Sequence, residues 1–214
     1  MTQAHIYQRR ALGILGIMLP FAVLLFGRLG DNGPYWYYSI SASAYTNAAP
    51  WFYTTLGTVG YFLITYSFYA WKAYGKIDFF VNLASGACAL VVAFFPCSTS
   101  AVDVAGLVPL PVRTCSVIHN AAAAGLFLLL AFNVLFLFTK TGGNPTAEKL
   151  KRNAVYRVCG YGMLVFIASQ VVTSALKVPG PATMVNEAGM LLCFGVAWLV
   201  KGEAVMQDKL VSAK

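Results

Sequence analysis

Charge is what this chain has least of. Only 10% of its 214 residues are Asp, Glu, Lys or Arg, against about a quarter in a soluble domain. A soluble globular fold is therefore excluded, because too few solvating groups exist to cover one. Histidine is scarcer still: His5 and His119 are the only two, too few to build a multi-histidine metal site. No serine sits in a Gly-x-Ser-x-Gly elbow, the turn that exposes a hydrolase nucleophile. The chain shows no internal repeat and no low-complexity tract.

What is there is apolar. The chain is 59% hydrophobic, with a mean hydropathy of +0.69, and its apolar residues fall in long runs. Each run approaches the roughly 20 residues needed to cross the hydrocarbon of a bilayer. Six spans are expected, at 11–29, 50–74, 77–96, 116–139, 155–176 and 184–200, in one all-α, polytopic membrane domain covering 1–214. Pro20 marks a kink in the first span. Pro50 suits the first position of the second. Asn144-Pro145 reads as a helix cap followed by Pro at the first position. The Ala121–Ala124 run is narrow enough for close helix approach. Arg9-Arg10 before an apolar run resembles a signal peptide, but no small-x-small cleavage site follows Phe26, so a retained helix is expected.

The net charge of +8 points to topology, not to nucleic acid, because the bases lie in loops between spans. With the N-terminus inside, the inner face carries Arg9, Arg10, Lys72, Lys76, Lys140, Lys149, Lys151, Arg152, Arg157, Lys201, Lys209 and Lys214. The outer face carries Arg28, Arg113 and Lys177. Twelve against three places both termini inside. Lys149, Lys151, Arg152, Arg157 and Lys201 form a basic patch, read either as topology-setting charge or as a site for anionic lipid headgroups. Asp78 is placed to pair with one of them, with Asn82 one turn further on the same face.

That orientation sets an aromatic and hydroxyl-rich loop outside: Tyr35-Trp36-Tyr37-Tyr38-Ser39-Ile40-Ser41-Ala42-Ser43-Ala44-Tyr45-Thr46. Polar residues at the outer ends of four spans lie at the same depth: Thr54, Thr55 and Thr58; His119 and Asn120; Gln170, Thr173 and Ser174; Asn186 and Glu187. Polar groups inside a membrane usually face the bundle interior, so an outward-open pocket is expected beneath the loop. Its binding residues would be Ser39, Ser41, Tyr45, Thr46, His119, Asn120, Gln170 and Glu187, with the loop as a lid or recognition element. The plainer reading is that Ser and Thr bond to their own helix carbonyls, while Asn and Gln join helices.

Three chemistries compete for such a pocket. Ser39, Ser41 or Ser43 with His119 and Glu187 would make a nucleophile, base and orienter. Cys97, Cys115 and His119 offer three soft zinc ligands. A non-catalytic site for a lipid or amphipathic ligand is the preferred reading, with no cofactor required. Membrane lipids are then the expected partners, and an accessory role against other membrane subunits is the alternative. Cys97 and Cys115 also bracket one outer loop, where a disulfide is an open possibility. Cys88, Cys159 and Cys193 read as small core residues.

Several short motifs occur together: Ser39-Ile40-Ser41 with Tyr45-Thr46, Asn82-Leu83-Ala84-Ser85-Gly86, Phe95-Pro96, His119, Arg152-Asn153-Ala154-Val155-Tyr156-Arg157-Val158-Cys159-Gly160, and Trp198-Leu199-Val200-Lys201-Gly202-Glu203. From about Ser39 to Glu203 the chain resembles a family of uncharacterised bacterial six-span integral membrane proteins, loosely similar to the eukaryotic DRAM and Sfk groups. The resemblance implies six helices and a multi-pass location in the bacterial inner membrane, with lipid-related work belonging to the eukaryotic relatives. It implies no catalytic residues. The ceramidase-like membrane hydrolases join Ser, Asp and several His around zinc, and that set is missing here.

Overall fold

The computed structural model describes residues 3–30, 37–100, 102–178 and 180–206. Tyr35, Trp36, Pro179, Lys209 and Lys214 lie outside the described residues. Six long helices carry the fold: α1 (Gln3–Leu29), α2 (Ala49–Tyr74), α3 (Lys76–Phe94), α4 (Val112–Phe132), α5 (Ala147–Ala175) and α6 (Ala182–Lys201). One π-helical turn, Asn133–Leu137, extends α4. A two-residue antiparallel ladder, β1 (Val104–Ala105) with β2 (Leu110–Pro111), folds the connection between α3 and α4.

Five of these helices are long and apolar enough to cross a membrane: α1, α3, α4 with its π turn, α5 and α6. The protein is a membrane protein of the all-α class. Its outer surface agrees, since Met18, Phe21 and Leu25 on α1 and Val158, Val165 and Val172 on α5 are exposed, as a lipid-facing surface requires. α2 matches the others in length, with 26 residues. Its threonines, glycines and tyrosines dilute its apolarity.

The helices extend beyond the apolar runs that signal them. α1 begins at Gln3, not residue 11, and α5 at Ala147, not residue 155. α5 is capped by Thr146, whose side chain accepts from the Lys149 N–H, so Asn144 is not the cap. Pro50 falls within the first two positions of α2, which starts at Ala49, and α1 continues through the buried Pro20. α3 stops at Phe94 because the residue before Pro96 is forced out of helical geometry; Phe95 is extended. Cys115 lies inside α4, not in the loop before it.

The helices form a ring in chain order, closed by α1 against α6. Two seams are made by glycines. A Cβ on Gly13 of α1 would stand 2.8 Å from the Gly195 carbonyl oxygen of α6, and one on Gly195 would stand 2.7 Å from the Gly13 oxygen. Gly60 of α2 and Gly86 of α3 face each other in the same way, at 3.0 and 2.7 Å. Backbones meet at these points because no side chain intervenes. Of the Ala121–Ala124 run, Ala122 and Ala123 pack against the second core cluster, and Ala123 also borders a cavity. Ahead of its π turn, α4 meets α5 more sparsely than any other neighbouring helices of the ring meet.

Two buried clusters fill the interior. One surrounds Trp198, Tyr66, Leu63, Phe138, Tyr156 and Met163. It lies toward the end where α1 begins and α6 finishes, here called the basic end. The other surrounds Phe52, Leu19, Val23, Met184 and Leu191. Ile40, Ala44 and Ala48 belong to this second cluster, so the aromatic and hydroxyl loop is anchored in the core.

Candidate ligand cavity and its polar wall

The loop is held by local turn chemistry before any helix touches it. Ser39 Oγ accepts from the Ala42 N–H at 2.9 Å, and Ser43 Oγ donates to the Ile40 carbonyl. Thr46 Oγ1 donates to the Ser43 carbonyl and accepts from the Ala48 N–H, both at 3.1 Å. Hydroxyl side chains bonding to nearby backbone favour tight turns over longer helices, and Ser41–Tyr45 closes as a 3-10 turn.

α6 then clasps that turn. The Ile40 N–H donates to Glu187 Oε2 at 2.6 Å, and Ser41 Oγ lies 3.3 Å from Glu187 Oε1. The Met184 N–H donates to the Tyr38 carbonyl at 3.0 Å. From the other side, Tyr45 Oη donates to the Cys97 carbonyl at 2.8 Å. A carboxylate at the start of a 3-10 turn satisfies donors that the turn itself leaves open.

His119 completes the wall. Its Nδ1 lies 2.7 Å from the Phe95 carbonyl, which only accepts, so Nδ1 carries a proton and donates. Its Nε2 lies 2.9 Å from Ser41 Oγ. Ser41 has one hydroxyl proton and two neighbours, His119 Nε2 and Glu187 Oε1. Glu187 therefore bonds to the serine and the turn, not to the imidazole. The expected order of nucleophile, base and carboxylate orienter is replaced by carboxyl, serine, histidine and backbone carbonyl, with Phe95 in the orienting position.

Behind this wall is a cavity of about 1080 Å³. All eight residues expected to face a pocket border it: Ser39, Ser41, Tyr45, Thr46, His119, Asn120, Gln170 and Glu187. Its floor is apolar, with Ala123 and Phe127 on α4, Val171 on α5 and Met190 on α6. His119, Ala123 and Phe127 recur every four residues, so the cavity follows one face of α4 for about 12 Å at 1.5 Å per residue. Those floor residues carried no sequence signal beyond that spacing. Ser98, Thr99 and Ser100 also line it, and sequence reasoning missed them.

Other expected site residues are placed elsewhere. Thr54 bonds to its own helix at the Pro50 carbonyl, and none of Thr54, Thr55 and Thr58 borders the cavity. Asn186 joins α6 to α5 through Gln170 Oε1 at 3.1 Å and Thr173 Oγ1 at 3.3 Å. Cys97 and Cys115 are free thiols, so the loop is not stapled by a disulfide. No group of three His, Cys, Asp or Glu among the described residues is arranged to hold a metal, and both His119 nitrogens are already engaged. Burial pushes the Cys97 thiol up to about 12, with the Glu187 carboxyl adding to it. Burial also pushes the Tyr45 phenol up to about 12. Both stay protonated at neutral pH.

The basic end holds residues that the sequence offers as topology-setting charge or as a site for anionic lipid headgroups. Arg9 is buried; it donates to Tyr66 Oη at 3.0 Å, Tyr74 Oη at 3.1 Å and the Lys201 carbonyl at 3.2 Å. Arg10 caps α6 through the Gly202 and Glu203 carbonyls. Lys201 Nζ sits 4.9 Å from the ring centres of both Tyr74 and Phe138. Lys149 donates to the Phe138 carbonyl, Lys151 pairs with Glu148, and Asp78 pairs with Lys140, a base outside the expected patch. Cations at helix C-termini offset the carbonyl dipoles gathered there. Arg157 stands apart, on an apolar groove of about 450 Å³ along the α4–α5 seam.

Comparison of the chain with models of known families, with curated proteins and with solved structures finds no match.

Proposed function

We propose that this membrane protein binds a lipid or other amphipathic ligand in the cavity between α4, α5 and α6. The carrying observation is the division of the cavity wall into a polar rim from the loop, Asn120 and Gln170 and an apolar floor from Ala123, Phe127, Val171 and Met190. An amphiphile has the same division. The sparse α4–α5 seam ahead of the π turn gives a route for its tail from the bilayer. The family resemblance supports six helices crossing the bacterial inner membrane, and the charge asymmetry of the sequence supports both termini inside, with the cavity opening to the outer leaflet.

Filling the floor tests the reading. Ala123→Phe is expected to abolish saturable binding of a pyrene-labelled monoacylglycerol by protein in nanodiscs while the thermal melt is kept. Equal binding by the filled variant refutes the assignment.

The accessory-subunit alternative calls for a broad face of small residues left unpaired. Gly13, Gly60, Gly86 and Gly195 are used in contacts within the bundle, which favours ligand binding. A membrane hydrolase keeps one specific support, the 2.9 Å contact of Ser41 Oγ with His119 Nε2. It predicts ester turnover that His119→Ala abolishes without unfolding the protein; unchanged turnover removes it.

A further inference from the structure

The cavity rim is rich in hydroxyls and amides and has no cation. No lysine or arginine is among its described lining residues, and residues 31–36, 101 and 179 contain none in sequence. The three bases at this end, Arg28, Arg113 and Lys177, are exposed and do not border the cavity. The rim offers the hydroxyl protons of Ser39 and Thr183, whose oxygens accept from the Ala42 N–H and Gln170 Nε2, and the Asn120 amide, which makes a long 3.5 Å contact with Ser116; Thr46 and Gln170 are spent within the protein. These groups both donate and accept, as a sugar or glycerol hydroxyl does. A phosphate moved into the same half-exposed place would give up part of its hydration for neutral donors with no counter-charge, which disfavours it against an uncharged hydroxyl. An ammonium fares little better, because the Glu187 carboxyl is already taken up by the Ile40 N–H and Ser41.

We infer that the cavity selects amphiphiles whose polar end is uncharged and hydroxylated, a glyceryl or sugar headgroup, against those bearing a phosphate monoester or an amine. This rests on the amphiphile-binding reading above and adds the ligand class to it.

The test is competition in phosphatidylcholine nanodiscs. A pyrene-labelled monoacylglycerol is displaced by monooleoylglycerol, by oleoyl lysophosphatidic acid or by oleylamine, which share comparable tails. Monooleoylglycerol is expected to compete at least about tenfold better than either charged lipid, a factor equal to one step on the affinity scale. A charged lipid that matches or beats it overturns the selectivity and leaves the cavity reading standing. A probe that never binds saturably, or that the Ala123→Phe variant binds unchanged, overturns the cavity reading itself. Asn120→Lys puts an ammonium on the rim at an exposed position. It is expected to shift the ratio of lysophosphatidate to monoacylglycerol affinity by at least about tenfold toward the phosphate; an unmoved ratio overturns the electrostatic basis.

Discussion

Glu187→Ala removes the carboxylate that holds the Ser41–Tyr45 turn against α6. The Ile40 N–H loses its acceptor at 2.6 Å, and Ile40 is only 3% exposed, so water does not readily replace it. Losing a hydrogen bond with its buried donor left stranded costs about 1–3 kcal/mol, and the 2.6 Å length and the burial of Ile40 set this one in the upper half of that range. The second contact adds little: Ser41 Oγ is 3.3 Å from Glu187 Oε1, and its one proton is shared with His119 Nε2 at 2.9 Å. The expected loss is about 2–3 kcal/mol, confined to the turn because Met184 still donates to Tyr38. Amide hydrogen exchange over residues 40–46 in nanodiscs measures it, since local opening sets the rate. Exchange should accelerate about 30- to 150-fold, at about 1.4 kcal/mol per factor of ten. Glu187→Gln keeps an oxygen acceptor for Ile40 and offers an N–H to Ser41, so its exchange should stay within about tenfold of wild type. The clasp is refuted if the alanine variant keeps wild-type protection, or if the glutamine variant exchanges as fast as the alanine.

Four further outcomes follow from the geometry. Gly86→Ala drives a methyl to 2.7 Å from the Gly60 carbonyl oxygen and should cost about 1–3 kcal/mol in a thermal or denaturant melt. Gly57→Ala, with nothing within 4 Å, should be neutral or stabilise by up to about 1 kcal/mol. Arg9→Met leaves two tyrosine hydroxyls and the Lys201 carbonyl without their donor and should cost about 2–4 kcal/mol by the same melts, with Arg9→Lys intermediate. Alkylation of Cys97, followed by peptide mass, should be slow at pH 8 and rise about tenfold per pH unit toward its pKa of about 12. The folded thiol keeps its proton after the unfolded one has lost it. The stability this group contributes is therefore fully present below about 9 and is lost as the pH rises through about 12.

The helices were legible because apolar runs are long, but their ends were not. Hydropathy marks the part of a helix that sits in hydrocarbon, whereas α1 and α5 continue for eight residues on polar sequence whose backbone bonds hydropathy does not register. The cap at Thr146 and the one expected at Asn144 carry equivalent side chains, and only the position of Pro145 separates them. At the site, polar residues in apolar runs identified His119, Gln170 and Glu187, because such groups are costly away from an interior. The same rule overreached at Thr54, whose hydroxyl is satisfied within its own helix. It was blind to Phe127 and Met190, which look like any core residue until the cavity is seen beside them. Arg9 was read as a topology-setting charge because its tyrosine partners, Tyr66 and Tyr74, lie far along the chain.

Gly75 is the whole connection between α2 and α3. Its φ of +109° is a conformation that other residues adopt only under strain. α2 is also the helix whose composition alone does not qualify it for a bilayer, while α3, one residue later, does qualify. On the six-span reading the two would leave the ribosome as one hairpin, with Gly60 and Gly86 able to meet before α4 is made. A substitution at Gly75 would then be felt during biogenesis, as a lower yield or an inverted topology, in a protein whose large cavity lies at the opposite end of the bundle.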